Sequence, residues 1–365
     1  MSKVNDQKRV LHIINKASVG GIPQVVISMY RAVDREQIHF DCTLFDAQIG
    51  ISGKKLQELG CRLYTMPIQF SHPFSFSWKL SQILKNGHYD VIHAHNNYSA
   101  WFPLLVAKIC GVKKRIAHAH TNQPVGCIKR ILSHILTPWL STQLIGCTKE
   151  AASAVFGENI NKNSKLRLLY NSIESDKFSF NQTFRDNLRK EFNWDEKFVV
   201  GCIGRLHECK NLFFALQVFR SLYAINSNVR LVIVGDGPER ENLEKYTQEI
   251  NMNEYVSFMG NRADVAHILQ AIDCFLMPSF YEGFGIAALE AATAGLPVFL
   301  STNIPDTLRF YKYSYYLPLS LSAEKWAEKI NHVGSIPDRT QGVIAIQNSE
   351  LDSVYWNQRV KELYE

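Results

Sequence analysis

Residues 278–298 read P-S-F-Y-E-G-F-G-I-A-A-L-E-A-A-T-A-G-L-P-V. The apolar run before them, residues 272–277, has the length and composition of a buried strand. A glycine-bearing turn follows, then an Ala/Leu-rich run of strong helix propensity. Strand, glycine turn and helix form the repeating unit of a parallel α/β sheet. A helix starting near Phe284 carries Glu290 about 9 Å along its axis, while Glu282 stays in the loop at its positive end. Gly283 and Gly285 let the backbone come close to a ligand, and free N–H groups at a helix start form a cradle for an anion such as a diphosphate. A carboxylate repels phosphate, so the two acids make sense where they meet hydroxyls: Glu282 toward a sugar, Glu290 toward the ribose of a nucleotide-sugar. The competing reading is a capped core helix with two solvated acids.

Working outward, residues 198–203 form an apolar strand followed by G-R-L-H-E-C-K-N at 204–211. Arg205 and Lys210 bracket a loop at that strand's C-terminal end. Two fixed cations there suit a diphosphate leaving group, whose developing charge needs stabilising in the transition state. An ordinary solvated basic loop is the bland alternative. Strands at 229–234 and 256–259 continue the series, with the turns G-D-G-P and G-N-R after them.

The first half repeats the alternation. A strand at 9–15 leads through K-A-S-V-G-G-I-P to a helical pattern at 24–32, and further strands are expected at 39–45, 62–66, 91–95, 115–120, 143–147 and 166–170. Gly20 and Gly21 allow a tight turn near a ligand, but the full G-x-G-x-x-G of a dinucleotide fingerprint is lacking. Ligands of parallel sheets gather at the strands' C-terminal ends, and here these carry H-N-N (95–97), H-A-H-T-N (118–122) and T-K-E (148–150). Alternation puts His118 and His120 on one face of a strand. A metal pair, a structural imidazole, and an active-site hydrogen-bonding or acid/base role all remain open, although no third ligand is evident near them. Residues 128–144 form an apolar stretch with Lys129-Arg130 at its start and Pro138 within it. A core helix ended or kinked at the proline is the commoner outcome for such a pattern, an interfacial membrane helix the alternative. The polar stretch 180–196 reads as the domain boundary, and residues 351–364 have helical spacing.

With 365 residues, 46% of them apolar and 20% charged, the chain has the composition of a globular protein of two ordinary domains. The net charge of +6 conceals an asymmetry: residues 1–180 hold 22 Lys and Arg against 11 Asp and Glu, a balance of +11, and the remainder 18 against 23, or −5. A basic first half favours a phosphorylated acceptor or an anionic membrane face. No zinc spacing, RNA-binding signature or aromatic-basic interleaving supports nucleic acid. The eight cysteines are scattered without a C-x-x-C pair and read as reduced core thiols of a cytosolic protein. No apolar signal region opens the sequence, and no run approaches a membrane span.

Five motifs in register, G-G-I-P-Q (20–24), G-R-L-H-E-C-K-N (204–211), V-I-V-G-D-G-P-E-R (232–240), F-M-G-N-R (258–262) and the E-G-F-G run (282–298), resemble the retaining glycosyltransferases of GT-B fold, family 4, most closely the bacterial capsular and exopolysaccharide branch. The resemblance covers nearly the whole chain. It implies two Rossmann-like domains with parallel sheets facing across a cleft: residues 1–180 on the acceptor side, with a returning helix at 351–365, and 181–350 binding the nucleotide-sugar. It also implies metal-independent transfer with retention and no cofactor. Arg205 and Lys210 then hold the donor diphosphate and Glu290 the ribose hydroxyls. Glu282 and the N–H groups of Phe284, Gly285 and Ile286 hold the sugar and distal phosphate. Gly20 and Gly21 close on the phosphates from the other side, and His120 takes the family's active-site histidine position. After Pro297 the chain reads S-T-N-I-P-D-T-L-R-F, where many relatives carry Gly-Gly and a further Glu, so that loop gives no sugar contacts.

The resulting expectation is transfer of a hexose or N-acetylhexosamine from a UDP-sugar to a lipid-linked saccharide, by a cytoplasmic enzyme resting on the inner face of the membrane. The alternatives are a nucleotide-sugar epimerase of the same fold and a catalytically silent partner or sugar-binding subunit. Arg205, Lys210, Glu282 and Glu290 together argue against the silent version.

Overall fold

The computed structural model describes residues 7–15, 21–45, 49–333 and 338–365. The chain divides into two compact units, Met1–Asn171 with Val354–Glu365, and Ser172–Ser353.

The first unit is a wholly parallel sheet of seven strands: β1 (Lys8–Ile13), β2 (Ile38–Leu44), β3 (Leu63–Thr65), β4 (Val91–Ala94), β5 (Lys114–Ala119), β6 (Gln143–Gly146) and β7 (Leu166–Leu168), in the order β3-β2-β1-β4-β5-β6-β7. The central strands are apolar without strict alternation because helices cover both faces. Val10 pairs with Phe40 on one side and Val91 on the other, and these join Tyr30, Ile116, Trp356 and Tyr364 in one core. The last two belong to the C-terminal helix Ser353–Tyr364. Its docking is specific: the Tyr364 ring meets Phe40 edge-on at 5.0 Å, and Lys8 Nζ donates to the carbonyls of Tyr364 and Glu365 at 2.6 and 2.9 Å. A cation on those last carbonyls also complements the helix dipole.

The second unit holds a parallel sheet of six strands: β8 (Phe198–Ile203), β9 (Val229–Val234), β10 (Val256–Gly260), β11 (Cys274–Met277), β12 (Val298–Ser301) and β13 (Ser314–Leu317), in the order β10-β9-β8-β11-β12-β13. The last two strands lie beyond Pro297, where the sequence pattern was read only as a divergent loop.

The polar stretch 180–196 is not a bare linker: it forms the helix Gln182–Glu191, with the Asn181 side chain accepting from Phe184 N at 3.1 Å as its N-cap. Its charges have structural partners. Arg185 and Arg189 both reach the buried carboxylate of Asp273, at 2.5 and 3.1 Å, and with Arg339 they donate to the carbonyls of Leu269, Gln270, Ala271 and Ile272 at the end of the helix Val265–Ala271. Three guanidinium groups thus satisfy one helix's last carbonyls. That use explains a charged segment packed against a domain.

In both sheets the strand order reverses beside the first strand of its series, between β1 and β4 and between β8 and β11. A crevice opens at the carboxyl ends of the strands flanking such a reversal.

Candidate functional site

In the second unit the predicted donor residues converge on the β8/β11 reversal. Arg205 and Lys210 lie in the loop after β8, Glu282 in the loop after β11, and a cavity between them is lined by Gly204, Arg205, Lys210, Met277, Pro278 and Ser279. Lys210 Nζ donates to Glu282 Oε1 at 2.5 Å, and the Ser279 hydroxyl donates to the same oxygen at 2.9 Å. Ser279 is itself fixed by the Ser301 hydroxyl, which donates to its carbonyl at 2.6 Å. The two loops are joined directly, Phe280 N donating to the Cys209 carbonyl at 2.8 Å. Arg205 is exposed and pairs with no described carboxylate.

The turn after β9 supports this arrangement from below. Leu206 N donates to the Asp236 carbonyl at 3.0 Å and Glu239 N to the Leu206 carbonyl at 3.1 Å. Gly235, at φ +132°, lies so close that a Cβ there would meet the Gly204 carbonyl at 1.9 Å. Only glycine lets this turn lie beneath the loop that carries Arg205.

The helix of the opening motif runs Ile286–Thr293, two residues later than expected, because Gly285 caps it in the left-handed conformation at φ +89°. Glu290 is therefore about 6 Å, rather than 9 Å, along the axis. The N–H groups of Phe284, Gly285 and Ile286 donate to no described residue, which is the state of a helix start that can receive an anion. The Phe284 ring is buried, so only its backbone is available. Glu290 keeps some exposure, yet it is enclosed enough that burial pushes its carboxyl up to about 7, and its carboxylate bonds no other described residue.

In the first unit Gly21 opens the helix Gly21–Ala32, and Gly20 lies outside the described residues. His120 follows β5 directly and is not isolated. His12 from β1, His93 and His95 from β4 and its end, and His118 from β5 form one cluster of ring contacts that reaches it through His95 and His118, with the His118 and His120 ring centroids 3.9 Å apart and those of His93 and His95 4.1 Å apart. The sequence reading saw no third ring, because these histidines are up to 108 positions apart in the chain (120 − 12) and meet only once β1, β4 and β5 are adjacent. His95, His118 and His120 bring ring nitrogens within 4.8 Å of one another, as do His12, His93 and His95. Both nitrogens of His95 already have partners, however: Nε2 is 3.0 Å from His12 Nδ1, and Nδ1 is 2.9 Å from His120 Nε2. For His95 to ligate an ion, one of these bonds must break. Burial lowers all five imidazoles, His12 and His120 to about 3, so the rings are neutral at pH 7. Asn97 accepts from His120 N at 2.7 Å and fixes the backbone there.

The expected core helix near Pro138 is reversed in its facing. The helix Cys127–Leu140 buries Ser133, Thr137 and Leu140, while Ile128, Ile131, Leu132, Ile135 and Trp139 are exposed beside the exposed Lys129 and Arg130. Lys108 lies 3.8 Å from the Trp139 ring centroid. The reason lies in the buried contacts: the Ser133 hydroxyl donates to the Val155 carbonyl at 2.7 Å, so small hydroxyl residues form the packing face. Cys127 is likewise exposed, against the expectation that the cysteines are core thiols; Cys42, Cys61, Cys147, Cys202 and Cys274 are buried. No helix of the described residues is long and apolar enough to cross a membrane.

Comparison with known proteins shows the family and the fold. Residues 19–177 match the family described as Glycosyltransferase Family 4, and residues 184–341 match Glycosyl transferases group 1. A protein of Bacillus subtilis (strain 168) named as a glycosyltransferase, EpsF, is 28% identical over 89% of this chain and 88% of its own length. The UDP-Gal:alpha-D-GlcNAc-diphosphoundecaprenol alpha-1,3-galactosyltransferase of Escherichia coli is 25% identical over 82% of this chain and 81% of its own. Among solved structures, Anabaena HepE in complex with UDP-glucose superposes with a TM-score of 0.83 at 18% identity, covering 97% of this chain and 98% of that one. The chain belongs to the family 4 glycosyltransferases, of GT-B fold.

Proposed function

We propose that this glycosyltransferase moves a hexose or N-acetylhexosamine from a UDP-sugar to a lipid-linked saccharide, with retention of configuration and without a metal, in the synthesis of a capsular, exopolysaccharide or other cell-surface glycan. The observation that carries the donor half is the meeting of Lys210, Glu282 and Arg205 at the β8/β11 reversal, with Glu290 on the adjoining helix. In this reading Arg205 and Lys210 hold the diphosphate, and the N–H groups of Phe284, Gly285 and Ile286 receive the distal phosphate. Glu282 and Glu290 accept hydrogen bonds from sugar and ribose hydroxyls. Gly20 and Gly21 complete the phosphate contacts, and His120 bonds a substrate oxygen. The bond between the sugar's anomeric carbon and the phosphate oxygen breaks, the bond to the acceptor oxygen forms on the same face, and the acceptor's proton passes to the departing phosphate. Two fixed cations stabilise the charge that develops on that phosphate, so no protein nucleophile is needed.

The acceptor half rests on chemistry and likeness. The Escherichia coli relative is named for a diphosphoundecaprenol-linked acceptor. Here the helix Cys127–Leu140 turns an isoleucine-rich face and Trp139 to solvent beside Lys129 and Arg130, the composition of a helix that lies in an anionic membrane surface. That gives a cytoplasmic enzyme a place on the inner face of the membrane, where a lipid-linked acceptor is found.

The test is to titrate the protein with UDP and with UDP-, GDP- and ADP-sugars, then to follow transfer to a membrane lipid extract in EDTA. Binding of a UDP-sugar and label in the lipid fraction are expected. Epimerised free donor without transfer would indicate the epimerase reading. Failure to bind any nucleotide-sugar would overturn the proposal.

A further inference from the structure

We infer that His12 and His95 are positioning residues: they lock His120 as the tautomer that carries its proton on Nδ1, so His120 serves the reaction as a hydrogen-bond donor to a substrate oxygen and not as a base. The inference rests on the proposed reaction only for what His120 meets; the tautomer itself follows from the protein.

A neutral imidazole has one N–H and one bare nitrogen, so a chain of three rings joined by two hydrogen bonds can run in only two directions. In the first, His12 Nδ1–H donates to His95 Nε2, and His95 Nδ1–H donates to His120 Nε2. His120 then holds its proton on Nδ1. In the second, every proton moves to the other nitrogen: His120 Nε2–H donates to His95, His95 Nε2–H donates to His12, and His12 must hold its proton on Nε2. The inner end of the chain decides between them. His12 Nε2 is buried and has no partner among the described residues. The second direction strands a buried N–H there, the rarer deficit in native structures, whereas the first leaves only an unshared lone pair, the more tolerable one.

The neighbouring ring has the same preference. His93 Nδ1 lies 2.7 Å from the Tyr364 hydroxyl, and that hydroxyl also reaches Met29 Sδ at 3.6 Å. A proton on His93 Nδ1 donates to the hydroxyl and leaves buried, unpartnered His93 Nε2 bare as well. At the outer end, His120 is half-buried, its Nδ1 bonds no other described residue, and its Nε2 is committed to His95. The donor therefore faces outward at the C-terminal end of β5, where ligands of such sheets bind. Burial keeps the rings neutral, which the chain requires.

The experiment is a long-range proton–nitrogen correlation on the full chain labelled with ¹⁵N-histidine, with rings assigned by single substitutions, alongside turnover with UDP-sugar. The unaltered protein is expected to show His120, His95 and His12 protonated on Nδ1. His95→Phe removes the partner of His120 Nε2, so Nε2–H should become populated on His120 and kcat should fall roughly three- to tenfold with little change in donor KM. His95→Gln, whose amide can accept from His12 and donate to His120, should keep the tautomer and hold turnover within about twofold. A His120 protonated on Nε2 in the unaltered protein overturns the inference without any variant being needed. A folded His95→Phe that loses activity while His120 keeps its Nδ1 proton also overturns it, leaving His95 a merely structural role. A protein that binds no nucleotide-sugar defeats the proposed function instead, and leaves the tautomer measurement standing on its own.

Discussion

Replacing Lys210 with alanine separates a catalytic cation from a structural one. The Lys210 and Glu282 side chains keep 21% and 11% exposure, between the surface pairs that contribute about 0–1 kcal/mol and the buried pairs whose rupture costs about 3–5 kcal/mol. Glu282 retains the Ser279 hydroxyl after the change, so a loss of about 1–2 kcal/mol is expected. A domain with about 5 kcal/mol of stability would still be roughly 99% folded at 25 °C after that loss. Unfolding therefore removes almost no activity. Removing one preorganised donor to a developing negative charge costs about 2.7–4 kcal/mol in the barrier, or roughly 10²- to 10³-fold in kcat. Urea unfolding and UDP release from the donor, measured on the same preparation, should diverge by that margin. The pair Lys210→Ala with Glu282→Gln sharpens the contrast, since it removes the unpaired charge and should recover stability but not turnover. If turnover falls no more than about threefold, or returns with stability in the double variant, Lys210 is a structural residue and the donor-site assignment fails.

Four further outcomes follow from the geometry. Glu290 holds a proton in the folded chain up to about 7, above its unfolded value, so stability should fall as pH rises from the ordinary carboxylate range through 7; Glu290→Gln should flatten that slope in thermal melts. Ribose hydroxyls donating to Glu290 favour its charged form, so UDP binding near pH 6.5 should release part of a proton, seen by calorimetry in buffers of differing ionisation heat and absent in the Gln variant. His118 has both ring nitrogens buried without partners among the described residues, so His118→Phe should leave stability unchanged or raise it by about 1 kcal/mol in urea unfolding, whereas a loss of about 1 kcal/mol or more would contradict this. Ile131→Glu with Ile135→Glu should weaken sedimentation with anionic vesicles several-fold at unchanged thermal stability, because both side chains face solvent.

The fold was legible because apolar runs at regular spacing, each closed by glycine or a polar turn, permit little besides parallel sheets. Arg205, Lys210, Glu282 and Glu290 were legible for the same reason: they sit just past strand ends. What was missed depends on tertiary placement. The run after Pro297 was judged by its departure from a motif, although V-F-L-S and S-Y-Y-L form β12 and β13. Residues 180–196 read as the domain boundary because they are polar and charged, and the use of Arg185 and Arg189 on Asp273 and on a helix's carbonyls gave no signal there. The helix at 127–140 was expected to bury its isoleucines, and only the packing of Ser133 and Thr137 reveals the opposite facing. His12 gave no local signal and His95 only its place at a polar strand end, since their use is set by which strands become neighbours. Ser279 could have been suspected from its place three residues before Glu282, within reach across one turn.

The account's central claim, retaining transfer from a UDP-sugar at the Lys210–Glu282 site, is tested most directly by proton NMR of the product's anomeric centre as it forms in EDTA with lipid-linked acceptor. The prediction is a new glycosidic signal of the same anomeric configuration as the donor, lost in Lys210→Ala. An inverted product, or no transfer from any nucleotide-sugar, would contradict it.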